Sequence, residues 1–376
     1  MRTRATPSEE SSSVFLRVLR VLCGERFPKN PDMKKTRIAI VGLGMAVAPH
    51  AKSALDLADR VEVAYAYSPS AGRRASFAGK FSFPLCDKLE TILDDPSVDA
   101  VAVLTPPNTH LDIVGRCAAA GKHVLLEKPL EISTARAREM VAACRAAGVT
   151  LGIVLQHRHK PAVERLAVLI RNRELGTPLS ASASIRLWRP QSYYDEPGRG
   201  TRARDGGGVL MTQAIHTLDV LLSLAGEPAE VMGFATTTPV HVMESEDLVS
   251  AAVRWRSGAC GVIEATTAAY PGTAERIDLI GSRATATLLG TAFEARWQDG
   301  RSESFAADGS SGGTGADPMA FPHDYHRSVW RDFVEAIGTG GEPRVNGEEA
   351  LRVHRLIDAL LASAQSGAPV RCDTPA

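Results

Sequence analysis

Lys128 and His216 are the two side chains best suited to passing a proton near neutral pH. Lys128 stands in Glu127-Lys128-Pro129, directly after the apolar run His123–Leu126, and His216 follows the glycine run Gly206-Gly207-Gly208. An amine or imidazole beside a secondary alcohol can take the hydroxyl proton as a hydride leaves the carbon, and can return it in the reverse direction. Thr212 and His216 are four residues apart and share one face of a helix. Gln213 is placed to hydrogen-bond a substrate hydroxyl, and Asp205 either binds such a hydroxyl or caps the helix. Arg158 and Tyr194 lie on segments from which they could reach a ligand. The ordinary alternatives are an exposed loop lysine, a packed core histidine and solvated or packing loop residues.

A second set of residues has the chemistry of a dinucleotide site. Arg37–Val41 is a short run rich in β-branched residues that stops at Gly42-Leu43-Gly44, and a helix-compatible stretch runs from Met45 to Ala58. Strand, glycine turn, helix is the context that gives such a motif meaning. Gly42 permits the tight turn, and Gly44 lets the backbone approach a pyrophosphate. Met45 opens the helix whose N-terminus favours that charge. Val47 holds the third glycine position of the motif, so an ordinary strand–helix turn stays open as the competing reading. The next strand, Val61–Tyr67, ends at Ser68-Pro69-Ser70, where an NAD site would carry an acid for the ribose 2′-hydroxyl. No carboxylate is there, and Arg73 and Arg74 follow. Ser68 and Arg73 therefore point to NADP over NAD, against the alternative of a solvated arginine face.

These residues need a frame that brings them together. Val98–Leu104 reads as a further strand ending in Thr105-Pro106-Pro107-Asn108-Thr109-His110, with a helix from about His110 to Ala120. His123–Leu126 is the next strand, a capped helix spans Ser133 to Ala147, and Thr150–Gln156 is a strand again. Strands alternating with helices at this spacing make a parallel sheet covered on both faces, with ligands at the C-terminal strand ends. Gly42 and Gly44, Ser68, Thr105 and Pro106, and Glu127-Lys128 all fall at such ends.

At this point the chain resembles the Gfo/Idh/MocA oxidoreductase family. The resemblance rests on Thr105-Pro106-Pro107-Asn108-Thr109-His110, Ala120-Gly121-Lys122-His123-Val124 and Glu127-Lys128-Pro129, in that order and spacing. It continues through Gly206–Leu210 with His216 and Asp219, and through Pro343–Ala350. It implies an α/β protein: an N-terminal Rossmann domain, residues 34–156, and a C-terminal α/β domain with a large, mainly antiparallel open sheet, residues 157–372. It implies hydride transfer between NAD(P) and a secondary alcohol or ketone of a sugar, cyclitol or nucleotide-sugar-like substrate. Cofactor contacts are expected from Gly42, Gly44, Met45, Ser68, Arg73, Thr105, Pro106, Asn108, His110, Glu127 and Lys128. Substrate contacts are expected from Arg158, Tyr194, Asp205, Thr212, Gln213 and His216, with Lys128 and His216 catalytic. It also implies a Lys128–Pro129 bond that can be cis, and a homo-oligomer, dimer or tetramer, formed through the open sheet face. The position of Thr212 often carries aspartate in sugar-oxidising members, so this chain lacks that carboxylate. The alternatives within the resemblance are a non-catalytic dinucleotide-binding regulator and an NAD-dependent glycosidase.

The second half fits such a sheet. Pro178–Trp188, Glu230–Thr237, Asp247–Trp255, Cys260–Thr267, Glu275–Gly281, Ala284–Leu289 and Phe293–Gln298 read as strands. Asp299–Asp317 reads as a Gly/Ser/Asp-rich surface loop, and the last helices run about His323–Ile337 and Gly347–Ser366. Arg186, Arg189, Arg199, Arg202 and Arg204 crowd the segment before the glycines, either as a site for an anionic substrate group or as a solvated charged loop.

Lysine plus arginine equals aspartate plus glutamate, 43 each, which argues against a nucleic-acid or membrane partner. The six cysteines lack metal-ligand spacing, and His157 and His159 have no third ligand nearby, so no metal is expected. Reduced thiols and the absence of a secretory pattern point to the cytoplasm. Residues 1–33 read as a poorly ordered extension, with Met33 as a possible true start.

Overall fold

The computed structural model describes residues 35–306 and 322–372. The expected extension over residues 1–33, the Met33 start and most of the loop 299–317 lie outside the described residues. Six strands, β1 (Thr36–Val41), β2 (Val61–Tyr67), β3 (Leu85–Cys86), β4 (Ala100–Val103), β5 (His123–Glu127) and β6 (Leu151–Val154), form one parallel sheet in the order β3-β2-β1-β4-β5-β6. Both faces are covered, which is why β4 and β6 are apolar and buried along their whole length. Helices α1 (Val47–Asp56), α2 (Ala71–Ala78), α3 (His110–Ala119) and α4 (Thr134–Ala146) connect them. Ser70 and Ser133 cap α2 and α4 by accepting the main-chain N–H of Arg73 and Arg136.

β1 lies between β2 and β4, so the chain leaves its C-terminal end in one direction and that of β4 in the other. Ligands of open parallel sheets sit at such a switch point. Gly42 is needed there: its φ is +105°, and a Cβ would stand 2.8 Å from the Leu104 carbonyl at the end of β4.

After α5 (Pro161–Arg171), the chain builds a nine-stranded sheet from β7 (Pro178–Arg186), β8 (Pro228–Thr236), β9 (Leu248–Trp255), β10 (Cys260–Thr266), β11 (Arg276–Gly281), β12 (Ala284–Leu289), β13 (Ala292–Trp297), β14 (Ser302–Phe305) and β15 (Val370–Arg371). Every pair is antiparallel except β7 with β10. Helices α6 (Ile215–Ala225) and α8 (Gly347–Ser366) pack on one face. The other face carries the exposed Met232, Phe234 and Val262. The strand limits agree with expectation to within a residue or two, but two strands of this sheet, like β3 in the first, were not expected. β14 falls in the segment read as loop: Ser-Glu-Ser-Phe is too polar to signal a strand, and Phe305 anchors it against Phe293. β15 is only two residues long.

Helix α7 (Asp324–Thr339) returns to the first sheet. Its Trp330 and Phe333 are fully buried with Ile38, Ile40, Leu125 and Val154. A helix late in the chain therefore completes the core of the first sheet. Truncating either aromatic to alanine would cost about 3–5 kcal/mol.

Residues 202–225 are apolar enough by composition to cross a membrane, yet 78% of that window is buried inside the fold. They are a core segment around α6.

Candidate active site

Lys128 follows β5 and precedes a cis peptide bond to Pro129. Its ammonium donates a 2.6 Å hydrogen bond to the main-chain carbonyl of Thr212. Burial lowers the Lys128 pKa from its ordinary value, and Arg189 adds to this while Glu127 opposes it.

The partner carbonyl lies in a π turn, Leu210–Ala214, that leads into α6. Such widened turns recur at functional sites. The glycines before it serve close approach rather than flexibility. A Cβ on Gly208 would stand 1.8 Å from the Glu246 carbonyl oxygen, and one on Gly206 (φ +80°) 2.6 Å from Ile132 Cα. The Glu246 side chain accepts the N–H of Gly208 at 3.2 Å and of Leu210 at 3.3 Å, closing the start of the helical segment. Sequence reading missed Glu246, because an acid 38 residues away gives no local capping signal.

His216 sits on the first turn of α6. Its Nδ1 is buried and has no hydrogen-bond partner among the described residues. Its ring lies 4.9 Å from that of His157, and His157 Nδ1 is 3.6 Å from a Glu275 carboxylate oxygen. Burial, then the positive charge of Lys128, holds the His216 pKa well below the usual histidine value. Burial does the same for His157, helped by Lys160. Both rings are neutral near pH 7, so His216 offers a lone pair.

The other expected substrate residues divide. The Thr212 hydroxyl stays in its own turn, at 2.7 Å from the Gly208 carbonyl and bonded also to Gln213 Oε1. Gln213 Nε2 donates to the Tyr193 hydroxyl at 3.4 Å. Tyr193, not Tyr194, therefore reaches the site: Tyr194 is buried against His241 with its hydroxyl 2.8 Å from Thr267 Oγ1. Arg158 is corrected as well. Its guanidinium makes a two-pronged pair with buried Asp219 at 2.7 and 2.8 Å and reaches Glu349 at 3.2 Å, so it locks α6 to α8. Asp205 accepts the Gly200 N–H at 2.8 Å, which ties down the preceding loop. The arginine crowd is largely paired: Arg186 with Glu264, Arg199 and Arg204 with Glu196.

On the dinucleotide side, nothing lies within 4 Å of where a Cβ of Gly44 would stand, so its backbone faces open space. Met45 is half exposed on the same turn, and α1 has no acidic residue in its first turn. This fits an anion at the helix N-terminus. Ser68 is buried and its hydroxyl accepts the Ser70 N–H, while Arg74 folds back on the Ser68 carbonyl at 2.6 Å. Arg73 is the exposed cation of this loop. Thr105, Pro106 and Asn108 line the end of β4. His110 does not face that opening: it is fully buried, with Nδ1 3.1 and 3.0 Å from the Pro129 and Leu130 carbonyls and Nε2 2.8 Å from that of Thr105. It fastens the loop after β4 to the one after β5. Glu127 likewise points inward, bonded at 2.8 Å to His50 Nε2 and at 3.0 Å to the Lys128 N–H.

His50, Glu127 and His326 bring three potential metal-ligand atoms within 4.8 Å of one another. Trp330 Nε1 donates to His50 Nδ1 at 3.0 Å, which puts the ring proton on Nε2, facing Glu127. A neutral His50 then has no lone pair left for a metal. The cluster orients Glu127 and, through it, the main chain at Lys128.

Two family profiles match the chain. One, described as an oxidoreductase family with an NAD-binding Rossmann fold, covers residues 36–154, and the other, the GFO/IDH/MocA C-terminal domain, covers residues 163–287. The chain belongs to the Gfo/Idh/MocA oxidoreductase family. Among relatives, a D-xylose 1-dehydrogenase (NADP(+)) of Haloferax volcanii is 29% identical over 83% of this chain and 92% of that protein. A myo-inositol 2-dehydrogenase of Thermotoga maritima is 27% identical over 83% and 91%. The WlbA dehydrogenase of Bordetella pertussis, solved with NADH and UDP-GlcNAcA, is 26% identical and superposes with a TM-score of 0.78 over 91% of this chain and 100% of that one. This Gfo/Idh/MocA member is thus a nicotinamide-dinucleotide-dependent dehydrogenase or reductase acting on CH–OH groups, on an α/β fold of Rossmann domain plus mixed, mostly antiparallel sheet.

Proposed function

We propose that this enzyme moves a hydride between NADP and a secondary alcohol or ketone carbon of a small polyhydroxylated substrate, with Lys128 and His216 handling the proton. The observation that carries the reading is the anchored Lys128 ammonium near a neutral His216 whose Nδ1 is uncommitted. Bound nicotinamide supplies the hydride acceptor or donor. In the oxidative direction His216 accepts the hydroxyl proton and becomes an imidazolium. The Lys128 ammonium stabilises the negative charge that develops on the substrate oxygen. In the reductive direction the same proton returns. Gln213 and Tyr193 orient neighbouring hydroxyls. D-xylose and myo-inositol, named for two of the relatives, are both small polyhydroxylated compounds, which supports a substrate of that class.

Preference for NADP rests on exposed Arg73 and on the lack of a carboxylate at Ser68-Pro69-Ser70. A homo-oligomer formed through the open face of the nine-stranded sheet would cover Met232, Phe234 and Val262. The cytoplasm suits Cys86, Cys117, Cys144 and Cys260, none of which forms a disulfide.

The deciding experiment titrates the protein with NADPH and NADH separately, following fluorescence and hydrogen–deuterium exchange, and then screens polyols and keto-sugars for steady turnover. Tighter NADPH binding with protection of residues 42–45, 68–74 and 127–129, and net NADPH consumption with a keto-sugar, is the expected result. Binding without net turnover would favour a regulator or an internally recycling glycosidase. Failure of both nucleotides to bind would remove the reading.

A further inference from the structure

A well-formed cavity lies away from the Lys128–His216 site, at the opposite end of α6. It encloses about 580 Å³, within the usual range for a small-molecule site. Leu224 and Ala225, the last turn of α6, form part of its wall with Ile170, Leu175, Trp255 and Leu279. His216 is eight residues earlier on the same helix, roughly 12 Å along its axis.

The charged groups of this cavity are unbalanced. Arg173 and Arg283 line it, and no aspartate or glutamate does. Neither arginine forms an ion pair among the described residues. One Arg283 N–H donates to the Arg173 carbonyl, which caps the end of α5 and leaves the guanidinium charge in place. The C-terminal ends of α5 and α6 also face the cavity, and each carries roughly half a negative charge. Two guanidiniums against two such ends leave an excess of about one positive charge.

Arg173 also stands where its backbone would favour glycine. Its φ is +58°, unique among the described non-glycine residues, and it closes α5 with the Arg173 N–H on the Ile170 carbonyl and the Glu174 N–H on that of Leu169. A long cationic side chain is kept at a position where glycine would fit without strain.

We propose that this cavity is a second ligand site, separate from the dinucleotide and polyol cleft, for a small amphiphilic monoanion. The apolar body of the ligand lies on Leu175, Leu224, Trp255 and Leu279, and its carboxylate meets Arg173 and Arg283. The ligand class follows from the lining: an apolar pocket that ends in two fork-shaped donors selects a planar carboxylate over a polyol or a cation. The proposal stands independently of the identity of the redox substrate.

The test uses the full chain with octanoate as probe, and octanol and octylamine as neutral and cationic controls of the same length. Titration calorimetry should show saturable octanoate binding, weaker octanol binding and no octylamine binding. The double variant Arg173→Gly, Arg283→Gln should bind octanoate about tenfold more weakly or worse, the loss expected for charge-assisted bonds. NADPH affinity in the variant should be unchanged, which reports that the fold is intact. Arg173→Gly alone relieves the backbone and serves as the variant that must fold. Absence of saturable octanoate binding to the wild type would overturn the proposal. So would equal octanoate affinity in wild type and double variant, or octylamine binding as well as octanoate.

Discussion

The ammonium of Lys128 is held at 2.6 Å by the main-chain carbonyl of Thr212, not by the threonine side chain. The family resemblance leads one to expect an aspartate at this position. A backbone acceptor positions the lysine whatever the side chain is, so loss of the carboxylate leaves the anchor intact. What it removes is a negative charge that would raise the basicity of its neighbours. Lys128→Ala should therefore lower kcat by about 10²–10⁴. Thr212→Ala should keep most activity. Steady-state kinetics beside a cofactor titration separates the two, and a Thr212→Ala enzyme as dead as Lys128→Ala would contradict the backbone anchor.

Acid should unfold this protein early. Burial holds His159 and His326 at about 3 and His354 at about 4, whereas the unfolded chain protonates near 6.5. Below that value the unfolded state binds more protons, so stability present above pH 6.5 is lost as the pH falls toward the folded values. Each ring contributes a slope approaching about 1.4 kcal/mol per pH unit, and the three together up to about 4. Urea midpoints at pH 7, 6 and 5 measure this; midpoints independent of pH would refute it.

Arg73 and Arg74 should differ in their effect on cofactor choice. Arg73→Ala removes an exposed cation and should weaken NADPH about tenfold while leaving NADH nearly unchanged. Arg74 bonds the Ser68 carbonyl, so Arg74→Ala should loosen the loop and weaken both. Parallel titrations with the two nucleotides read the difference, and equal losses in Arg73→Ala would argue against a phosphate contact.

Gly44 and Gly208 provide a contrast between binding and folding. Gly44→Ala meets no protein atom within 4 Å, so its melting temperature should hold while dinucleotide affinity drops. Gly208→Ala drives a methyl into the Glu246 carbonyl and should cost several kcal/mol, as overpacking does. Thermal melts and NADPH titration of both variants decide it.

Arg158→Ala should act on stability. It leaves Asp219, whose pKa is already pushed up by burial, without its partner, at a cost of about 3–5 kcal/mol. A variant with native melting and a raised KM would instead return Arg158 to the substrate.

The first half of the fold was readable, β3 apart, because the other five strands are short apolar runs that stop at a turn residue, and the helices carry local caps such as Ser70 and Ser133. The candidate positions after those strands were chosen on the rule that ligands gather at C-terminal strand ends. Tyr193 and Tyr194 were not separable in this way, since adjacent residues on a short helix differ only in which way they face. His110 and Glu127 carried a strong motif, yet their side chains serve the frame and not the opening.

By itself, the sequence determined what local chemistry can encode: strand, glycine turn and helix at β1, the caps, the order of motifs and the absence of an acid after β2. Tertiary structure alone decided which polar groups are already satisfied. Arg158 is held by Asp219, 61 residues on, Gly208 by Glu246, 38 residues on, and His50 by Trp330, 280 residues on. A buried donor or acceptor must find a partner wherever the fold brings one within about 3 Å, and that distance bears no relation to separation along the chain. The neutrality of His216, the inward turn of Glu127 and the return of α7 to the first sheet all follow from that long-range packing.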